Sequence, residues 1–349
     1  MQTIIGVLGH FGEDEILLNG QTVKTKIITD ELQRQLGREQ VRRYDTHGGL
    51  KVLLKAPLQT FSALKNSRNV LILPAQNGLR VYAPLLALQR RFLKGRKLHY
   101  AVIGGWLPDF LQNRRFLEKQ LRSFDGIYVE TRNMKMRLEE RGFNNVVVMP
   151  NCKELDVLSP EELVAEHQEP YKLCTFSRVM REKGIEDAVD AVKSINEKMG
   201  RTVYTLDIYG PVDPGQTEWF GDLQKQFPSV VRYCGAVPFD RSVAVLKEYF
   251  ALLFPTRFYT EGVPGTVIDG YAAGLPVIAA KWESFADVID DQTGFGFDFG
   301  SRESLYRMLE EIAAKSEMVM ALKMNCLDRA RAYMPQKAIG VLMERIEGK

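Results

Sequence analysis

The sequence predicts an α/β protein made of two doubly wound, Rossmann-like domains in tandem. Short β-branched runs without polar alternation recur along the chain, as is typical of strands that are buried on both faces. Amphipathic segments of helical period separate these runs, and this alternation predicts parallel sheets covered by helices on both sides. The length of 349 residues, at about 150 residues per domain, agrees with two domains.

The predicted strands form two groups. The first group is residues 3–8, 41–44, 69–73, 98–103, 126–129 and 146–149, with helices over 23–36 and 81–92. The second group is residues 173–176, 205–209, 230–233, 252–254 and 277–280, with a helix that ends at Gly200. The polar, acidic stretch 153–170 predicts the domain boundary, and residues 301–349 are predicted to form two or three helices. Ligands of such sheets bind at the carboxyl ends of the strands, so the cleft between the domains is the expected site.

Composition narrows the class of protein. No apolar run approaches the roughly 18 residues that span a bilayer, and the first residues lack a signal-peptide pattern. The four cysteines are scattered, which excludes a disulfide scaffold or a zinc knuckle and fits a reducing compartment. They are Cys152, Cys174, Cys234 and Cys326. We therefore expect a cytoplasmic protein.

Charge is distributed unevenly. Residues 1–150 contain 24 Lys and Arg against 13 Asp and Glu, a net charge of +11, whereas the remainder carries −8. Leucines and one phenylalanine interleave with a basic cluster after the second predicted helix. The cluster is Arg90, Arg91, Lys94, Arg96 and Lys97 with Arg114 and Arg115, and the apolar residues are Leu85, Leu86, Leu88, Phe92 and Leu93. A solvated helix end is one interpretation, and docking to an anionic membrane surface is the other. No motif indicates nucleic acid.

Two loops carry residues suited to a phosphate group. Gly9, Gly12 and Gly20 surround the junction of the first strand and helix, where glycines let a backbone approach an anion. An ordinary loop is the alternative there. Arg178 and Lys183 lie in the loop 177–184 that leads from a strand into a helix. Arg would bind a diphosphate bidentately and Lys would act as a point charge, whereas a solvated basic loop is the alternative.

The most informative segment is residues 254–279, FPTRFYTEGVPGTVIDGYAAGLPVIA. A buried strand is followed by a loop that carries Glu261, and Gly265 precedes a short helix. Asp269 falls near the start of that helix, where the dipole favours an anion. The two carboxylates therefore lie on a loop and a helix, and they could bind different parts of one ligand.

This segment resembles the signature of the retaining glycosyltransferases of family 4, which have the GT-B fold. That signature is Glu, seven residues, Glu, and then Ala-x-Gly-x-Pro-Val. The loop 177–184 is similar to the family's Arg…Lys-Gly phosphate loop, 146–151 (VVVMPN) to the strand that closes its first domain, and 233–237 (YCGAV) to its Gly-x-Val loop. The resemblance implies an acceptor-binding domain over 1–165 and a donor-binding domain over 166–330, facing each other across a cleft. It also implies a C-terminal helix over 331–349 that returns to the first domain.

The resemblance implies roles for single residues. Arg178 and Lys183 would hold the nucleotide diphosphate and Glu261 would lie near the donor sugar, so these three are the predicted catalytic residues. Asp269 would accept hydrogen bonds from ribose hydroxyls, although the family has a longer Glu there, and Cys152 stands where the family usually has Gly. The full predicted donor-binding set is Gly20, Arg178, Lys183, Gly235, Val237, Glu261, Gly262, Val263, Gly265 and Asp269.

The acceptor side departs from the family pattern. Many members place a His or Asp after the fourth strand, but residues 103–109 read IGGWLPD, and His99 is expected to be structural. Trp106 and Asp109 are the acceptor-side candidates. A base is not required, because retaining transfer passes through an oxocarbenium-like state and the departing phosphate oxygen could take the proton. No Asp-x-Asp triplet occurs, so we expect no metal and no cofactor besides the nucleotide sugar.

The sequence thus predicts a metal-independent, retaining hexosyltransferase of polysaccharide assembly. Its donor is expected to be a UDP-hexose and its acceptor a glycan or a polyprenyl-linked sugar, with peripheral attachment to the inner face of the cell membrane as an option. A non-catalytic GT-B binding subunit and a nucleotide-sugar epimerase are the alternatives. A dinucleotide dehydrogenase is disfavoured because no GxGxxG follows the first strand.

Overall fold

The computed structural model describes residues 2–12, 20–164 and 166–348. The chain divides into two compact units. The first comprises Met1–Glu154 and Tyr333–Lys349, and the second comprises Leu155–Ala332. Each unit is built around a six-stranded sheet whose neighbouring strands pair in parallel. The predicted α/β class is therefore confirmed.

The first sheet follows directly from the apolar runs of the first 150 residues. Its strands are β1 (Thr3–Gly9), β2 (Val41–Asp45), β3 (Ser67–Ile72), β4 (Lys97–Ala101), β5 (Gly126–Val129) and β6 (Val146–Val148). The helices between them are α1 (Gly20–Leu36), α2 (Leu50–Asn66), α3 (Gln76–Gln89), α4 (Leu107–Phe110), α5 (Arg115–Leu121) and α6 (Arg132–Glu140). The spatial order is β2-β1-β3-β4-β5-β6, so the direction of winding reverses between β1 and β3.

The second sheet repeats this construction. Its strands are β7 (Tyr171–Phe176), β8 (Tyr204–Tyr209), β9 (Val231–Gly235), β10 (Ala251–Phe254), β11 (Val277–Ala280) and β12 (Gly294–Phe297). Its helices are α7 (Ile185–Met199), α8 (Thr217–Gln224), α9 (Ser242–Leu246), α10 (Gly265–Ala272), α11 (Phe285–Val288), α12 (Arg302–Ala314) and α13 (Glu317–Ala330). The spatial order is β12-β11-β10-β7-β8-β9, which is the order of a dinucleotide-binding Rossmann sheet.

The last two helices, α14 (Pro335–Ala338) and α15 (Gly340–Glu347), belong to the first unit. They pack with α1 on one face of the first sheet, where Leu342 and Ile346 join Ile28 and Leu32 in one apolar cluster. The opposite face of that sheet is covered by α2, α3, α5 and α6. Successive strand residues alternate between the two clusters, because side chains of a strand point to opposite faces.

Several boundaries differ from the sequence prediction. The first unit ends at Glu154 rather than at residue 165, because Leu158 is buried in the second unit and its N–H donates to the carbonyl of Ala272 at 2.8 Å. The described part of the C-terminal segment, residues 301–348, forms four α-helices instead of two or three. Neither α2 nor β12 was predicted. Among the residues that the structure describes, no helix is both long and apolar enough to cross a bilayer.

Candidate functional site

The second sheet changes its winding direction between β7 and β10, which are neighbours in the sheet. Ligands of open α/β sheets bind outside the carboxyl ends of the strands at such a switch point. The loop 177–184 leaves β7 there, and the loop 255–264 leaves β10 beside it. These are the two loops that the sequence selected for phosphate and sugar binding.

The two loops are fastened to each other. The N–H of Arg257 donates to the carbonyl of Glu182 at 2.8 Å. The guanidinium of Arg257 also binds both carboxylate oxygens of Asp187 on α7, at 2.8 and 2.6 Å. A bidentate pair fixes orientation as well as distance, so the loop after β10 is held against the helix that follows the loop after β7.

Gly184 is the point of closest approach between the loops. It has a φ of +69°, and a Cβ placed there would lie 1.9 Å from the carbonyl oxygen of Pro255. Residues other than glycine are strained at this φ and cannot fit at this distance. The glycine that ends the first loop is therefore a packing requirement of the site.

Lys183 and Glu261 meet across the switch point. The ammonium of Lys183 donates to Oε1 of Glu261, and the hydroxyl of Thr256 donates to the same oxygen at 3.2 Å. The two charged side chains are only 18% and 16% exposed. The Lys183 nitrogen also lies 5.0 Å from the centre of the Phe258 ring and 5.5 Å from that of Phe254. Partial burial against these rings strengthens the attraction that a cation exerts on an anion.

Arg178 lies at the same edge of the sheet but is half-exposed. Its Nη1 is 3.4 Å from Oδ2 of Asp213. Its loop rests on Gly210, which has a φ of +133° and no room for a Cβ because the carbonyl oxygen of Ser177 would lie 1.9 Å away. The N–H of Gly210 donates to the carbonyl of Gly235 at 2.9 Å. The ends of β7, β8 and β9 are thereby joined beside Arg178.

The first turn of α10 also lies at the carboxyl edge of the second sheet. The hydroxyl of Thr266 donates to the carbonyl of Phe176, which sets the first turn of α10 against the end of β7. Gly262 and Val263 are buried in the turn that leads into this helix, which begins at Gly265. The first N–H groups of a helix have no partner within it and favour an anion.

Asp269 points away from bulk solvent. It is 3% exposed, and its Oδ1 accepts a hydrogen bond from the hydroxyl of Ser242 on α9 at 2.9 Å. Val237, in the loop between β9 and α9, is half-buried. The predicted role of Asp269 in ribose binding stays a prediction.

The acceptor-side candidates that were predicted from the sequence, Trp106 and Asp109, have partners within the first unit. Nε1 of Trp106 donates to the carbonyl of Ile103 at 2.7 Å, and Asp109 forms an ion pair with Arg137. Gly20 is exposed at the start of α1. Asn19, which precedes it in the proposed phosphate loop, lies outside the described residues.

His99 has the surroundings of a structural side chain. It is fully buried in β4 between the hydroxyl of Tyr128 at 3.0 Å and the side-chain oxygen of Asn69 at 3.1 Å. Burial lowers the pKa of His99 to about 4, so the ring is neutral near pH 7.

A histidine pair at the carboxyl edge of the first sheet was not anticipated. His10 follows β1, and its Nδ1 lies 2.7 Å from the hydroxyl of Thr22. Its Nε2 lies 2.8 Å from Nδ1 of His47, which follows β2. Asp45 organises both loops, since its Oδ1 accepts hydrogen bonds from the N–H groups of Phe11 and His47 at 2.9 and 2.8 Å. Adjacent parallel strands bring these residues together, a signal that sequence spacing alone does not carry.

A buried ion pair lies at the same edge. Nζ of Lys24 on α1 is 2.5 Å from Oε1 of Glu130, which follows β5. The same oxygen accepts a hydrogen bond from the N–H of Gly104 at 3.0 Å, and Lys24 also donates to the carbonyl of Val102 at 3.1 Å. This pair fixes the turn after β4, two residues before Trp106.

Known proteins share this architecture. Residues 170–315 match the family model of glycosyl transferases group 1. The amylovoran biosynthesis glycosyltransferase AmsK of Erwinia amylovora is 21% identical over 193 residues, which are 52% of this chain and 46% of that protein, so the match spans about half its length. HepE of Anabaena, crystallised with UDP and glucose, has a TM-score of 0.73 over 99% of each chain at 15% identity. Sucrose-phosphate synthase of Thermosynechococcus elongatus has a TM-score of 0.75 at 15% identity, over 100% of this chain and 98% of that one. The predicted GT-B fold is confirmed.

The packing of Gly184 is testable by substitution. Gly184→Ala should lower the free energy of unfolding by about 2 kcal/mol or more, because it adds an unfavourable φ to a clash with Pro255. Gly221→Ala is the matched control, since a Cβ at that position of α8 meets nothing within 4 Å. Thermal unfolding followed by circular dichroism checks both. An equal melting temperature for Gly184→Ala and the unaltered protein would contradict the close approach of the two loops.

Proposed function

We propose that this chain, whose residues 170–315 match the family model of glycosyl transferases group 1, is a retaining hexosyltransferase. It would move a hexose from a UDP sugar to a glycan or lipid-linked acceptor in polysaccharide assembly. The observation that carries this proposal is the contact of Lys183 with Glu261 at the switch point, with Arg178 on the same edge. The names of the relatives support the donor and the pathway class: HepE was crystallised with UDP and glucose, and AmsK acts in amylovoran biosynthesis.

The donor diphosphate is proposed to bind between Arg178 and Lys183. Arg178 is half-exposed and offers a fork of N–H donors, whereas Lys183 offers a compact charge with little solvent around it. The N-terminus of α10 adds further N–H groups that favour an anion. Glu261, already hydrogen-bonded to Thr256 and Lys183, is then suited to orient the sugar hydroxyls.

The proposed chemistry uses these groups to stabilise the leaving diphosphate. As the glycosidic bond to the phosphate oxygen breaks, negative charge grows on the diphosphate and positive charge grows on the sugar ring. Once the donor is bound, Arg178 and Lys183 already contact the diphosphate, so they stabilise that negative charge without reorganising further. The departing oxygen takes the proton of the acceptor hydroxyl as the new bond forms on the same face of the sugar. Neither a metal nor a separate cofactor is needed for this step.

A nucleotide-sugar epimerase is the second candidate. All four histidines of the chain lie in its first half, and two of them, His10 and His47, meet in the first unit, where their ring nitrogens are 2.8 Å apart. Product analysis separates the two. A transferase releases UDP only as a glycosylated acceptor appears, apart from slow hydrolysis, whereas the epimerase gives an altered sugar without any acceptor.

Incubation with a set of nucleotide hexoses, followed by assay of released nucleotide and glycosylated acceptor, tests the proposal. Turnover of a UDP-hexose supports it. Absence of binding and turnover with every nucleotide sugar would instead favour a non-catalytic binding subunit. Release of a product with inverted anomeric configuration would contradict retention.

Removing either cation should impair donor use. Arg178→Ala and Lys183→Ala should each lower kcat/KM for the nucleotide sugar by about tenfold to a hundredfold, because a charge-assisted contact contributes roughly 1.5–3 kcal/mol. Arg181→Ala is the matched control: it removes a cation from the same loop, but that guanidinium lies 5.0 Å from the centre of the Trp219 ring. Steady-state kinetics of UDP release measures all three. Equal losses for Arg181 and Lys183 would show that only the overall charge of the loop matters.

Turnover should not depend on a divalent cation. Because the proposed neutralising charges are the side chains of Arg178 and Lys183, EDTA should leave the rate of UDP release unchanged. A collapse of that rate that magnesium or manganese restores would refute metal independence while leaving the donor assignment open to the substitutions above.

A further inference from the structure

The outer side of α2 exposes an apolar stripe. Leu54, Leu58 and Phe61 are 79%, 76% and 47% exposed. Their spacing of four and then three residues places them on one face of the helix. Lys65 continues the same line one turn later and is also exposed. The opposite side of α2, including Ala56, Ala63 and Leu64, is buried in the core of the first unit.

A second apolar projection stands beside this stripe. Leu88, near the end of α3, is 51% exposed, and Phe92, in the turn that follows, is 82% exposed. The amide of Gln89 donates to the carbonyl of Pro57 at 3.1 Å, which ties the end of α3 to the middle of α2. The exposed side chains of both helices therefore form one surface, which we call the α2–α3 face.

The charged residues of α2, α3 and the turns around them have one sign. Residues 46–108, which contain α2 and α3, include ten Lys and Arg and no Asp or Glu. Lys55 and Lys65 on α2, and Arg91 and Lys94 next to Phe92, are exposed. Large apolar side chains that project from basic helices without Asp or Glu of their own suit an interface with anionic lipid headgroups above acyl chains.

We propose that the α2–α3 face docks on an anionic phospholipid bilayer, with Leu54, Leu58, Phe61 and Phe92 entering the acyl boundary. Lys55, Lys65, Arg91 and Lys94 contact lipid phosphates. A protein partner would have to present carboxylates and an apolar patch in matching positions, whereas an anionic bilayer supplies both kinds of contact everywhere on its surface. The charge pattern and the projection together favour lipid.

This surface overlaps only in part with the basic cluster that the sequence indicated. The residues that the two share are Leu88, Arg91, Phe92 and Lys94. Leu86 of that cluster is fully buried, and Arg90 is held by Asp125 at 2.6 Å. The guanidinium of Arg114 lies 4.1 Å from the centre of the Phe110 ring. These side chains stabilise the first unit, and the residues free to meet a bilayer lie mainly on α2, whose apolar face the sequence prediction left out.

The purpose of this docking rests on the proposed function. A lipid-linked acceptor has its sugar at the membrane surface, so docking would bring the enzyme to its acceptor. An enzyme held there meets the acceptor by diffusion in two dimensions. Vesicle binding itself needs no substrate, so it can be measured separately from transfer.

Co-sedimentation with vesicles tests the proposal. The full chain should bind phosphatidylcholine vesicles that contain about 30% phosphatidylglycerol at about 0.1 M salt, and bind pure phosphatidylcholine far less. The double variant Leu54→Glu, Leu58→Glu should lower the partition coefficient at least about tenfold, because it places two carboxylates where acyl contact is expected. Lys55→Gln with Lys65→Gln should weaken binding less and make it less sensitive to salt.

Met324→Glu is the control, since Met324 is exposed on α13 in the second unit. It should bind vesicles like the unaltered protein, and circular dichroism should show that all variants are folded. Absence of binding, or full binding by Leu54→Glu, Leu58→Glu, would overturn the proposal. The proposal would also be overturned if light scattering showed a dimer that the Leu54→Glu, Leu58→Glu variant dissociates, because the α2–α3 face would then join two copies of the chain. UDP release in the presence of an acceptor, measured without vesicles, does not depend on docking. It therefore separates a failure of the docking proposal from a failure of the proposed function.

Discussion

The contact between Lys183 and Glu261 is the interaction on which the site depends. It joins two loops that leave neighbouring strands, and it can form only because Gly184 lets the backbone of one loop lie against Pro255 of the other. The ion pair is partly buried against aromatic rings, so each charge needs a partner when no ligand is bound. Under the proposed function, an incoming diphosphate would offer Lys183 a second anion, and the carboxylate of Glu261 would then be available to sugar hydroxyls. The same pair would neutralise itself without a ligand and bind the donor when it arrives.

The order of the strands explains why these residues meet. Lys183 and Glu261 are far apart in sequence, but β7 and β10 are neighbours and their connections wind in opposite directions. A crevice at their carboxyl ends follows from that topology. Strand order acts in the same way in the first unit, where the adjacent strands β1 and β2 place His10 beside His47. In both units the chemistry-bearing side chains lie where parallel strands end.

Much of the fold could be predicted because buried parallel strands are continuous apolar runs, and eleven such runs appear in the sequence near the strands of the structure. β12 was missed because its sequence, GFGF, has two glycines and little β propensity. α2 was missed because it exposes leucines and contains Pro57, so its pattern is not that of a core-facing helix. The residues of the loops were predictable, but the contact of Lys183 with Glu261 depends on strand order. The pairing of His10 with His47 could not be predicted for the same reason.

Titration of UDP into the Glu261→Gln variant tests the central interaction most directly. If Lys183 exchanges Glu261 for the diphosphate, removing the carboxylate eliminates a competing anion while Gln keeps the shape of the side chain. UDP should then bind as tightly as before or up to about tenfold more tightly, whereas hexose transfer should fall because the sugar loses its carboxylate contact. Weaker UDP binding by Glu261→Gln, together with unimpaired transfer, would contradict the account.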